Sequence, residues 1–194
     1  MLTPDYVTAY IESWRSGEII LNEKRIQLVE WLEQDILTRD DMVFDIEMID
    51  SYINFAEEKY FPLQSFQKFI ACFIFLKYSE DDTLVFDEFL IYMARGAGKN
   101  GFISTLSHFF ISELHGIENY DVEIVANSEK QAMTSFKEVY NVINGDEKLE
   151  ESYKALKQTI QHNKTKSVFQ FHTSNARTKD GLRSGAIIYD EIHE

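Results

Sequence analysis

A single cysteine, Cys72, is the only thiol in this chain, so no internal disulfide framework can hold it together. Its apolar surroundings, Phe69-Ile70-Ala71-Cys72-Phe73-Ile74-Phe75, imply a buried and inert side chain. No apolar run approaches the roughly 20 residues needed to span a bilayer. The N-terminus also lacks the basic start and apolar stretch of a secretory signal, so a membrane is not among the expected partners. Prolines number two and glycines eight, so each marks a position. Positive charge is scarce as well: 19 basic residues face 33 acidic ones, a net charge of −14. Such a surface argues against nonspecific coating of nucleic acid. The basic residues Lys154, Lys157, Lys164, Lys166, Arg177, Lys179 and Arg183 gather in the last quarter, where a solvated face is the plain reading. The five histidines show no metal-ligand spacing, so no zinc site is expected.

Apolar side chains, by contrast, make up 44% of the chain and aromatics 14%, which is the composition of a packed core. A length of 194 residues suits one domain with a small appended part. The first sixty residues read as helices. Thr3-Pro4-Asp5 supplies a cap, a proline and an early acid for the first, Asn22 caps a second and Asp45 a third. A fourth, apolar nearly all round, follows Pro62. After Glu80 the pattern turns to β: Thr83–Phe86 and Phe89–Ala94 read as strands of a hairpin turning at Asp87-Glu88. Beyond them come a helix from about Lys99 to His115, a buried strand Val122–Ala126, and a helix opened by the capping box Ser128–Gln131. A short helix over about Lys148–Lys157, a hairpin pairing Thr159–His162 with Ser167–His172, and a last strand Ala186–Tyr189 complete the order. Strand–helix–strand alternation implies an α/β fold with a parallel sheet flanked by helices. The expected division is a helical N-terminal segment, 1–60, and an α/β part, 61–194.

The stretch Phe89–Asn100 carries the most chemistry. An apolar run leads into Arg95-Gly96-Ala97-Gly98-Lys99-Asn100, and a helix follows at once. Small residues let successive backbone N–H groups curl around phosphate oxygens, and the helix N-terminus adds partial positive charge. Lys99 then reaches β- and γ-phosphates. Where the general pattern has a serine or threonine for Mg²⁺ stands Asn100, whose amide oxygen can serve directly or through water. Met93 replaces the pattern's first glycine. A glycine-rich strand-to-helix turn without a ligand is the plain alternative.

Ile187-Ile188-Tyr189 ends in the adjacent acids Asp190 and Glu191. In a phosphate-loop enzyme the first lies near Mg²⁺ and the second orients or deprotonates the attacking water. Two carboxylates at one strand tip repel each other unless a cation is shared, which is the physical reason to expect magnesium. A strand ending in solvent explains the pair equally well if taken alone. Gln67, ahead of the loop, can offer donor and acceptor to an adenine edge. Arg95, Arg177 and Arg183 are candidates to stabilise charge on a transferred phosphoryl group, with Arg95 the one inside the loop.

In order, Leu63-Gln64-Ser65-Phe66-Gln67, Ala94–Asn100, Val122–Ala132 and Asp180–Glu194 resemble the N-terminal ATPase part of the large terminase subunit of tailed bacteriophages. The resemblance implies a P-loop ATPase of the additional-strand type, using ATP and Mg²⁺ to drive double-stranded DNA into a procapsid. It implies phosphate binding by Gly96, Ala97, Gly98, Lys99 and Asn100, adenine contact by Gln67, magnesium binding by Asp190 and catalysis by Glu191, while Asn100 for the metal and Arg95 for catalysis rest on the chemistry of the loop itself. Phe66 stands where a tryptophan is commoner. Implied partners are double-stranded DNA, the portal protein, the small terminase subunit and further copies in a ring, in the host cytoplasm. Relatives continue through more ATPase strands and an RNase H-like nuclease domain, so a fragment without nuclease activity, weakly active or inactive on ATP, is expected. A DExH-type helicase or translocase is a competing reading of Asp190-Glu191-Ile192-His193, as is a non-catalytic assembly module.

Overall fold

The computed structural model describes residues 2–173 and 184–191. Two compact units emerge, Met1–Ile53 with Pro62–Tyr92, and Asn54–Phe61 with Met93–Glu194. No helix of the described residues is long and apolar enough to cross a membrane.

The first unit contains α1 (Asp5–Arg15), α2 (Glu23–Trp31) with a π-helical turn at Leu32–Ile36, most of α3 (Ile46–Lys59), α4 (Ser65–Ile74), and strands β1 (Met42–Phe44) and β2 (Leu76–Tyr78). Asn22 caps α2 as its sequence implies, its side chain accepting the Arg25 N–H at 3.0 Å. Asp45 does the same for Met48 ahead of α3. The start of α1 differs: Pro4 itself, extended at φ −61 and ψ 145, occupies the cap position, so Thr3 lies one residue too early to cap. The apolar faces of α1 and α4 meet through Tyr10 and Phe69, whose rings are 4.5 Å apart. Cys72 is fully buried beside them, and burial with the nearby Asp50 charge pushes its thiol up to about 12. No thiolate forms there at neutral pH.

The hairpin expected over 83–94 is absent. β2 pairs antiparallel with β1, Leu84 touches Lys77 only as an isolated bridge, and 89–94 carry no ladder. β-rich side chains make a strand only when a neighbour accepts the backbone hydrogen bonds. Leu90 and Tyr92 are 84% and 90% exposed, so nothing described covers them.

The second unit holds α5 (Lys99–Ile111), β3 (Val122–Ala126), α6 (Glu129–Asn144), α7 (Glu147–Ser152), β4 (Tyr153–Ala155), β5 (Thr159–His162), β6 (Val168–Thr173) and β7 (Ala186–Asp190). Its sheet runs β4-β5-β6-β3-β7. β3 is parallel to both β6 and β7, whereas β5 is antiparallel to both its neighbours, β4 and β6. The expected parallel sheet is therefore mixed. The reason lies in loop length: the short turn between β5 and β6 can only return the chain antiparallel, while the parallel pairs need long crossovers. β4 also takes residues assigned to a helix, because Tyr153–Ala155 pair with Ile160–His162 and end α7 early.

Val122, Ile124 and Ala126 alternate onto one face of β3, with Phe169 and Ile160 from neighbouring strands. α6 sets Phe136, Val139 and Ile143 against that face at helical spacing, and Ile111 of α5 joins them. Phe136 is the centre of this layer, with its ring 5.4 Å from that of Phe169 and 4.9 Å from that of Phe171. Phe136→Ala is expected to cost about 3–5 kcal/mol of stability, read as a lowered urea midpoint with unchanged slope.

His108 is wholly buried between α5 and the sheet-side aromatics, with Nδ1 2.7 Å from the Tyr60 hydroxyl. Burial, aided by the charges of His162 and Lys59, holds its pKa down at about 3. The imidazole is neutral at every physiological pH and acts as a packing and hydrogen-bonding group.

Candidate phosphate and metal site

Residues 94–98 turn the chain directly into α5. Ala97 N–H closes on the Ala94 carbonyl at 3.2 Å. Gly96 and Gly98 sit at φ +82 and +85, the left-handed region that costs an L side chain roughly 1–2 kcal/mol. Gly98 is also the cap residue of α5, and no side chain caps the helix there. The first N–H groups of α5 therefore open onto the loop, together with the positive end of the helix dipole. The first turn is anchored from behind. Ser104 donates to the Asn100 carbonyl at 2.9 Å and lies 2.7 Å from Glu138 Oε2, and the Ser135 hydroxyl reaches the same carbonyl at 3.3 Å. α6 thus holds the start of α5.

Asp190 is the last residue of β7, opposite Ala126 at the end of β3. These are the carboxyl ends of two parallel strands, the place where open α/β sheets bind ligands. Lys99 Nζ lies 2.9 Å from Asp190 Oδ1 and 3.1 Å from Glu191 Oε1. Partial burial works against the ammonium's charge, but the two carboxylates outweigh it and raise the Lys99 pKa above its ordinary value. Glu191 follows at φ +56, a left-handed conformation rare for a non-glycine residue and a mark of strain held by its surroundings.

The carboxylates differ in burial. Asp190 is 4% exposed and Glu191 32%. Asp190 Oδ1 is buried with no aligned hydrogen-bond donor, so its short approach to Lys99 is an ionic contact. A buried carboxylate of this kind needs a cation. A hard divalent ion also suits this buried oxygen, and Asp190 fits Mg²⁺ on that ground.

Gln67 belongs to the first unit, is 1% exposed, and spends its Oε1 on the Gln64 N–H at 2.8 Å in the capping of α4. Arg95 is exposed on the loop, and Asn100 is half-buried at the first turn of α5. Arg177, Lys179, Arg183 and His193 lie outside the described residues. One site neighbour escaped the sequence reading: Gln131 of α6 donates Nε2–H to Glu191 Oε2 at 2.9 Å. Its capping-box pattern signalled a helix start, but nothing in the pattern signals where the amide points.

A family model described as the ATPase domain of the terminase large subunit matches residues 65–194. A solved structure, the crystal structure of the HK97 bacteriophage large terminase, is similar at a TM-score of 0.64 and 20% identity. That likeness extends over 77% of this chain and 31% of the other, so this chain spans under a third of the length of the protein it resembles. It is a likeness of fold, that of a P-loop NTPase. No curated protein matches.

Proposed function

The chain belongs to the family of terminase large-subunit ATPase domains, and on that footing we propose that the cluster around Lys99 binds ATP with Mg²⁺ and hydrolyses it to drive double-stranded DNA into a procapsid. The observation that carries the reading is the ammonium of Lys99 bridging Asp190 and Glu191 beside the uncapped start of α5. A cation poised between two acids gains a stronger partner when a triphosphate arrives.

Gly96, Ala97 and Gly98 present backbone N–H groups to the phosphates, and Lys99 takes the β- and γ-oxygens. Asp190, with Asn100, is the candidate holder of the metal. Mg²⁺, when bound, neutralises charge on the phosphate oxygens. Glu191 then orients the attacking water and accepts its proton, and Arg95 offers charge to the transferred group. The adenine contact of Gln67 belongs to the same proposal and rests on sequence order alone. Double-stranded DNA, the portal, the small subunit and neighbouring copies in a ring, all in the host cytoplasm, are the proposed partners of the whole motor.

A thermal shift tests nucleotide binding. At a hundredfold excess over its dissociation constant, Mg-ATP adds about 2.7 kcal/mol to stability, which raises the midpoint by roughly 5–10 °C in a chain of this size. An equal shift with Mg-AMP, or none with millimolar Mg-ATP, contradicts a triphosphate site.

A further inference from the structure

The side chain of Gln131 is held at both ends. Its Oε1 accepts the Ser128 N–H at 3.1 Å and the Ser128 hydroxyl at 2.7 Å, while the Gln131 backbone N–H donates to the Ser128 Oγ at 3.3 Å. Since the Ser128 N–H can only donate, the amide oxygen must face it, and the amide NH₂ is forced towards Glu191. The contact to Glu191 Oε2 at 2.9 Å follows. The two carboxylate oxygens of Glu191 are thereby treated differently, with Oε2 gripped by Gln131 and Oε1 by Lys99.

We infer that Gln131 is a positioning residue for Glu191: it fixes one carboxylate oxygen so that the other is presented to the attacking water once Lys99 turns to phosphate. This rests on the ATPase reading above. α6 supplies the rigidity, because its capping box and its packing on the sheet fix where Gln131 begins. Capping does not require an amide at this position. Glutamate at the third helical position accepts the same Ser128 N–H and serves capping boxes as well as glutamine. What glutamate lacks is the donor.

Gln131→Glu therefore separates the two roles. In steady-state Mg-ATP hydrolysis by the 194-residue chain, the variant is expected to lose about 10- to 100-fold in kcat, with KM within about twofold. A kcat equal to the parent's would reduce Gln131 to a cap and overturn the inference. Urea midpoints of the nucleotide-free protein give a second reading. Gln131→Glu alone sets two carboxylates against each other and lowers the midpoint. Adding Glu191→Gln reverses donor and acceptor across the same contact and restores it. Additive midpoints would overturn the contact itself. A parent chain that turns over no ATP would count against the functional reading instead, and the urea cycle, which needs no nucleotide, still decides whether Gln131 grips Glu191.

Discussion

Lys99→Ala is expected to fill less than about a tenth of its sites at an Mg-ATP concentration about tenfold above the parent's dissociation constant, where the parent is nearly saturated. The expected loss is about 3–6 kcal/mol, two charge-assisted hydrogen bonds to phosphate, or roughly a hundredfold to ten-thousandfold in dissociation constant. Two costs combine. The phosphates lose their cation, and Asp190, 4% exposed, loses the ammonium that faces it. The second cost falls on the free protein too, so the variant is also less stable. Circular dichroism must show it folded before its titration is read, and Lys99→Met, which keeps the stem, guards against misfolding. Unchanged calorimetric affinity in either folded variant would remove Lys99 from the site.

Glu191→Gln separates binding from chemistry. The amide keeps the shape of the carboxylate but cannot take a proton, so hydrolysis falls by about 10²–10⁴. Binding is retained, because Lys99 leaves Glu191 for the phosphates in either protein. The substitution also removes one of the two acids that compete for Lys99, so affinity stays level or improves. Filter binding with single-turnover hydrolysis measures both. Loss of binding and rate together would make Glu191 a structural anchor for Lys99 and leave the general base elsewhere.

How much of this the sequence carries depends on the range of each signal. The caps at Asn22, Asp45 and Ser128 are written within three residues of the bonds they make, and all three form. The buried strand Val122–Ala126 and the β5–β6 hairpin are legible for the same local reason. β1 and β4 are three-residue strands whose existence depends on a partner elsewhere in the chain, and local pattern does not reveal them. The reverse error arose at 89–94, where β-rich side chains found no ladder.

The site divides along the same line. The loop, with its two left-handed glycines, and the adjacent acids are visible as residue types in order. Their approach to within 3.1 Å depends on the parallel register of β3 and β7, which no spacing encodes. Gln131 belongs wholly to that second category. Its helix-capping role is local, and its hold on Glu191 spans 60 residues of chain.

The most direct measurement is a structure of the chain bound to Mg²⁺ and a non-hydrolysable ATP analogue. Lys99 Nζ should be found on β- and γ-phosphate oxygens, drawn away from Asp190, with Asp190 facing the metal's coordination sphere and Gln131 still on Glu191. A nucleotide seated elsewhere, with the ammonium still clamped between the two carboxylates, would contradict the ATPase site at its centre.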